Sequence, residues 1–101
     1  MREDPAARGD IPLIAAMDDP VWQVRTKAAN ALGRIRAAAA VDVLGRELTS
    51  EVSNLRKEAA AALGEIADPR GLAALEAACN DPDPDVRKLI QWAIGRCQGR
   101  P

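Results

Sequence analysis

The sequence predicts an all-α solenoid built from three helical hairpins, and three observations carry that prediction. The first is a fixed period of 31 residues. Val24-Arg25, Leu55-Arg56 and Val86-Arg87 are equally spaced, as are Ala31-Leu32-Gly33, Ala62-Leu63-Gly64 and Ala93-Ile94-Gly95. A period in this range marks units that cannot bury their apolar faces alone. The second is composition: 48% of the 101 residues are hydrophobic but only 2% aromatic, namely Trp22 and Trp92. Much of the apolar content is alanine, which favours helices and lets them approach closely. The third is that each period holds two apolar stripes at helical spacing, separated by a turn signal, which is the pattern of an αα-hairpin.

The units fall at residues 7–37, 38–68 and 69–99 of a single domain spanning 7–99, leaving short termini at 1–6 and 100–101. In the first unit Asp10 reads as an N-cap with Pro12 in the first turn, so this first helix is expected to be the shortest. Its counterparts run from Ala38 to Leu48 and through Leu72, Leu75 and Cys79. The intra-hairpin turns are Asp18-Asp19-Pro20, Thr49-Ser50-Glu51 and Asn80-Asp81-Pro82, all residues that cap helices or fix turns. Longer second helices follow over Val21 to Ile35, Val52 to Ile66 and Pro84 to Cys97, with Val24, Ala28, Ala31, Leu32 and Ile35 pointing inward in the first copy. Units are joined by Arg36-Ala37 and by Ala67-Asp68-Pro69, where Asp68 can cap a helix that starts at Pro69.

Written as Val-Arg-x-x-Ala-Ala-x-Ala-Leu-Gly-x-Ile, the second helix from Val24 to Ile35 resembles HEAT repeats, specifically the short HEAT-like type associated with phycobilisome lyases. The pattern recurs from Leu55 to Ile66 and, more loosely, from Val86 to Cys97. The resemblance implies a right-handed α-solenoid of six helices whose second helices line the concave face. It also implies a structural ladder between neighbouring units, formed by an acidic turn residue and a second-helix arginine. Asp19 with Arg25 and Asp81 with Arg87 match it, whereas the middle copy has Ser50 in place of the aspartate, so Arg56 is expected to turn to Glu51 or to turn carbonyls. An arginine fork can satisfy helix-end carbonyls and a carboxylate together.

Helical rotation places Lys88 and Trp92 opposite the apolar stripe of the last helix. The residues expected to meet a partner are Lys27, Asn30, Arg34, Lys57, Glu65, Lys88, Trp92 and Arg96. Trp92 corresponds to Asn30 and Ala61, and exposed Trp and Arg dominate interface energetics. The formal net charge is -1, yet the second helices hold a basic surplus while acids gather in the turns. The expected partner is a protein, with an acidic one favoured by that surplus; nucleic acid along the same strip is an alternative. Shielding of the last hairpin by Trp92, and ordinary solvated charges with acids at helix N-termini, account for the same residues without a partner. Incompletely capped end faces also predict weak self-association.

With no histidine and no tyrosine, familiar triads and general bases cannot be assembled. The resemblance associates HEAT-like hydroxylases with iron held by His-Glu motifs, which are absent from this chain. Bilin lyases and alkylpurine glycosylases of this repeat type are longer. The expectation is therefore a non-catalytic interaction module or scaffold with no cofactor and no metal, or else a piece of a larger HEAT-like protein such as a bilin lyase. Cys79 and Cys97 fit no zinc spacing and read as buried apolar side chains. No stretch is long and apolar enough to span a bilayer, so a cytoplasmic protein with no membrane partner is expected.

Overall fold

The computed structural model describes residues 5–99, with side chains from Gly9 to Gly99. Apart from Pro5 and Ala6, the expected termini at 1–6 and 100–101 lie outside the described residues. Six helices follow in order: α1 (Pro5–Ala16), α2 (Trp22–Arg34), α3 (Val41–Glu47), α4 (Ser53–Ile66), α5 (Leu72–Ala77) and α6 (Pro84–Cys97). Short 3₁₀ turns at Ala38–Ala40 and Pro69–Gly71 lead into α3 and α5. Each odd helix pairs with the even helix that follows, and the even helices pack side by side as one layer. The chain is thus the three-hairpin α-solenoid that the repeat predicts.

Helix starts follow the turn chemistry. Asp68 accepts a hydrogen bond from the Arg70 N–H, and Asp83 accepts one from the Asp85 N–H, each ahead of a proline in the first turn. Backbone ends are closed differently. After α2 the Arg36 N–H reaches the Gly33 carbonyl and the Ala37 N–H reaches that of Leu32, a Schellman arrangement that places Arg36 at φ 54°. Ala67 takes the matching left-handed position after α4, at φ 56°.

One expectation about the elements is corrected. The first helix of the first unit is twelve residues long, the longest of the odd helices, and it carries Pro12 in its interior rather than in its first turn. Pro5 begins the helix, where a missing N–H is harmless. Pro12 is exposed, so its lost hydrogen bond faces water rather than the core.

The core runs along the seam between the two layers. Leu32, Leu44, Leu55, Leu63, Leu75, Val86 and Ile90 are fully buried, alanines 28, 29, 59, 60, 62 and 93 are buried with them, and Ala62 meets Gly33 across the α2–α4 seam. Of the inward positions expected in α2, Ala28 and Leu32 are buried and Ala31 is half-buried. Val24 and Ile35 remain 37% and 39% exposed, whereas of their counterparts Leu55, Val86 and Cys97 are buried and Ile66 is half-buried. The reason is geometric: these columns are covered by the preceding unit, and no described residue occupies that place before α2.

Candidate functional site

Two sets of side chains project from the even-helix layer. The first set holds its upper edge. Arg56 donates from Nε to Asp81 Oδ2 at 2.7 Å and from Nη2 to Asp81 Oδ1 at 3.1 Å, and its Nη1 donates to the Ser50 carbonyl at 2.9 Å. The guanidinium therefore satisfies its own turn and clamps the turn of the next unit. Asp81 is the one buried charged residue of the described core, 8% exposed. Desolvation alone would raise its pKa. The Arg56 hydrogen bonds, the Asp83 N–H and the charges of Arg56 and Arg87 outweigh that, and hold it below the usual carboxylate value.

The ladder thus links neighbouring units, as the resemblance implies, through Arg56 and Asp81. Arg25 donates to the carbonyl oxygen of Asp19, not to its carboxylate, and the Asp19 side chain accepts the Val21 N–H instead. Arg25 would find Ser50 where Arg56 finds Asp81, and it turns to Glu47 at a looser 3.7 Å. Arg87 donates to the carbonyls of Asp81 and Pro82. Of the partners expected for Arg56 within its own turn, the carbonyl of Ser50 is found, while Asp81 of the following turn takes the place of Glu51.

The second set forms the outward strip of α2, α4 and α6. Lys27, Asn30, Arg34, Lys88 and Trp92 are exposed there, while Lys57, Glu65 and Arg96 are half-buried. Asn30 reaches across to Glu58, donating at 2.9 Å. Lys57 lies between Asp83 and Asp85, at 3.8 and 3.6 Å. Because Arg25, Arg56 and Arg87 are committed to the turn edge, the strip holds five basic side chains, Lys27, Arg34, Lys57, Lys88 and Arg96, against the carboxylates of Glu58, Glu65 and Asp85. The basic surplus is smaller than the sequence count.

Trp92 does not fold over the end of the last hairpin. Its ring lies across the α4–α6 seam on Gly64, where a Cβ would overlap it. Arg96 completes the arrangement, its guanidinium 5.9 Å from the ring centroid and its Nε donating to the Gly64 carbonyl at 3.1 Å. The ring thus meets both Gly64 and Arg96, yet the residue remains 46% exposed. Gly64 is the signal that the sequence reading missed: a glycine in a helix interior costs stability unless something needs the space.

Among the described residues no cluster of three or more His, Cys, Asp or Glu side chains could hold a metal ion. Both cysteines are free. Cys97 is buried, and desolvation followed by the nearby Asp68 charge raises its thiol pKa, away from nucleophile chemistry. No helix among the described residues is long and apolar enough to cross a membrane.

A family model described as HEAT repeats matches residues 11–95. The chain belongs to the HEAT-repeat family. Two curated relatives resemble most of the chain. Deoxyhypusine hydroxylase-B of Oryza sativa subsp. japonica is 33% identical over 96 residues, covering 93% of this chain and 32% of that protein. Deoxyhypusine hydroxylase of Mus musculus is 36% identical over 83 residues, covering 80% of this chain and 28% of that protein. The chain spans about a third of the length of these relatives.

These findings overturn the expectation of a non-catalytic scaffold and of a chain outside enzymology. The two relatives are enzymes by name, and the hydroxylase branch is the one that the missing histidines had set aside. The alternatives, nucleic-acid binding or a piece of a bilin lyase, have no counterpart in either relative. Sequence reasoning went astray because it looked for reactive side chains inside the repeat, whereas the repeat columns are set by packing and are shared whatever chemistry a longer array performs.

Proposed function

We propose that this chain serves a hydroxylase acting on deoxyhypusine, and that its outward strip holds the protein bearing that residue. The observation that carries the reading is the 33% identity to a deoxyhypusine hydroxylase over 93% of the chain. A cytoplasmic setting belongs to the same proposal and is supported by the two free cysteines, which suit a reducing compartment.

Hydroxylation of carbon needs an activated oxidant, and the resemblance associates HEAT-like hydroxylases with iron held by His-Glu motifs. The residues present do not fit such a centre: the chain has no histidine, and the described residues contain no metal-binding cluster. No step through a metal is assigned to these residues. Their contribution is binding and orientation.

Deoxyhypusine is a lysine-derived residue ending in an amine, and an indole face attracts such a cation. Trp92 is packed on Gly64 with the Arg96 guanidinium over its ring, so the exposed part of the indole is preorganised, which lowers the ordering cost of binding. Glu65 and Glu58 supply carboxylates on the same strip, and Lys27, Asn30, Arg34, Lys57 and Lys88 supply polar contacts around it.

The purified chain is expected to capture a deoxyhypusine-bearing protein in preference to its unmodified lysine form. Adding the chain to source-cell extract depleted of it is expected to restore gain of one oxygen atom on that residue by mass spectrometry. Trp92→Ala, which leaves the core intact, should weaken capture by about tenfold or more, the scale of an interface anchor. Failure of both capture and oxygen gain would overturn the proposal.

A further inference from the structure

The repeat register can be carried past the last unit, and the residues it meets are those of the first. Inside the array Arg56 clamps Asp81, 25 positions ahead. Arg87 is the next arginine in that column. The same offset, continued for one more unit, lands on Asp19 of a second copy stacked head to tail. Asp19 uses one carboxylate oxygen on its own Val21 N–H, and Arg87 is exposed, with only carbonyl partners.

The same offset rule holds for three other features. Arg96 donates to the Gly64 carbonyl, 32 positions back, and its column mate Arg34, which is exposed, would reach the Gly95 carbonyl of the preceding copy. Gly33 lies so near α4 that a Cβ there would be 2.7 Å from the Ala62 Cα, and a Cβ on Gly64 would meet Trp92. Gly95, the third glycine of that column, has nothing within 4 Å of its Cβ position, and its counterpart contact in the next copy is Ala31. Val24 and Ile35 are apolar and exposed, although of their column mates Leu55, Val86 and Cys97 are buried and Ile66 is half-buried.

We infer that copies of this chain associate head to tail, the α6 face of one against the α2 face of the next, continuing the solenoid. The occupant is a second copy because one operation gives a carboxylate to an arginine bonded only to carbonyls, fills the open glycine and covers the exposed apolar pair together. Such an interface is heterologous, so it extends to further copies unless the rotation closes.

Sedimentation of the full chain over a range of concentrations tests this. The weight-average mass should rise with concentration beyond that of one copy. Gly95→Leu should leave the monomer folded, since its Cβ position is open, and should abolish association. Arg87→Glu and Asp19→Arg should each weaken association about tenfold or more by juxtaposing like charges. Mixing the two singly substituted proteins should restore it, because every interface then pairs opposite charges. A strict monomer at all concentrations, or association unchanged by Gly95→Leu and Arg87→Glu, would overturn the inference. Circular dichroism of each variant separates lost association from lost folding.

Discussion

Arg56 and Asp81 show how one side chain pair ties two units. Both are nearly buried, at 13% and 5% side-chain exposure, so removing one partner strands the other in a poor dielectric. Arg56→Ala should destabilise the protein by about 3 kcal/mol, measured by urea melts. The pair also sets a response to acid. A carboxylate whose folded pKa lies below its unfolded value near 3.9 stabilises the fold above that value, and the contribution is lost as pH falls through the folded one. The parent should therefore lose stability below about pH 4 more steeply than Asp81→Asn does, in melts followed by circular dichroism. Gly33 makes a different demand. Because backbone opposes it across the seam, Gly33→Ala should cost about 1 to 3 kcal/mol despite the better helix propensity of alanine, a sign reversal that a melt detects directly.

Element by element, the agreement between sequence and structure depends on what controls each boundary. The even helices begin and end within a residue or so of expectation because a turn side chain that accepts a backbone N–H (Asp19, Ser50, Asp81) and a glycine (Gly33, Gly64, Gly95) recur in every copy. The odd helices are short, and their bounds were legible only where Asp68-Pro69 marks a start. α1 was misread because Asp10-Ile11-Pro12 carries a cap and a proline in the right order for a helix start, while the helix had already begun at Pro5. Pro12→Ala should restore a helical hydrogen bond and raise stability by about 1 to 3 kcal/mol. Ala67 occupies a left-handed C-terminal position, so Ala67→Gly should add about 1 kcal/mol. Both gains are readable as shifts in the urea midpoint.

For the molecule as a whole, the site was less legible than the fold. The fold follows from columns that agree, since burial of Leu32, Leu63 and their neighbours is visible as repetition. The strip consists of positions that differ, and repetition says nothing about how Trp92, Arg96 and Gly64 assemble across two helices. Nor can a pattern of packing residues announce the activity named for relatives about three times as long. Stability in such an array is close to a sum over units and the contacts between neighbours. Leu63, buried in the middle unit, touches the largest share of that sum, and Leu63→Ala should cost about 2 to 5 kcal/mol in the same melts.

The two tryptophans occupy opposite ends of the array, Trp22 at the turn into α2 and Trp92 on the α4–α6 seam. With no tyrosine or phenylalanine in the chain, ultraviolet emission comes from these two indoles alone. Replacing either by leucine leaves a protein with a single optical reporter at one end. Emission from the two single-tryptophan variants, followed during unfolding, would then distinguish an array that opens from its first unit from one that opens from its last.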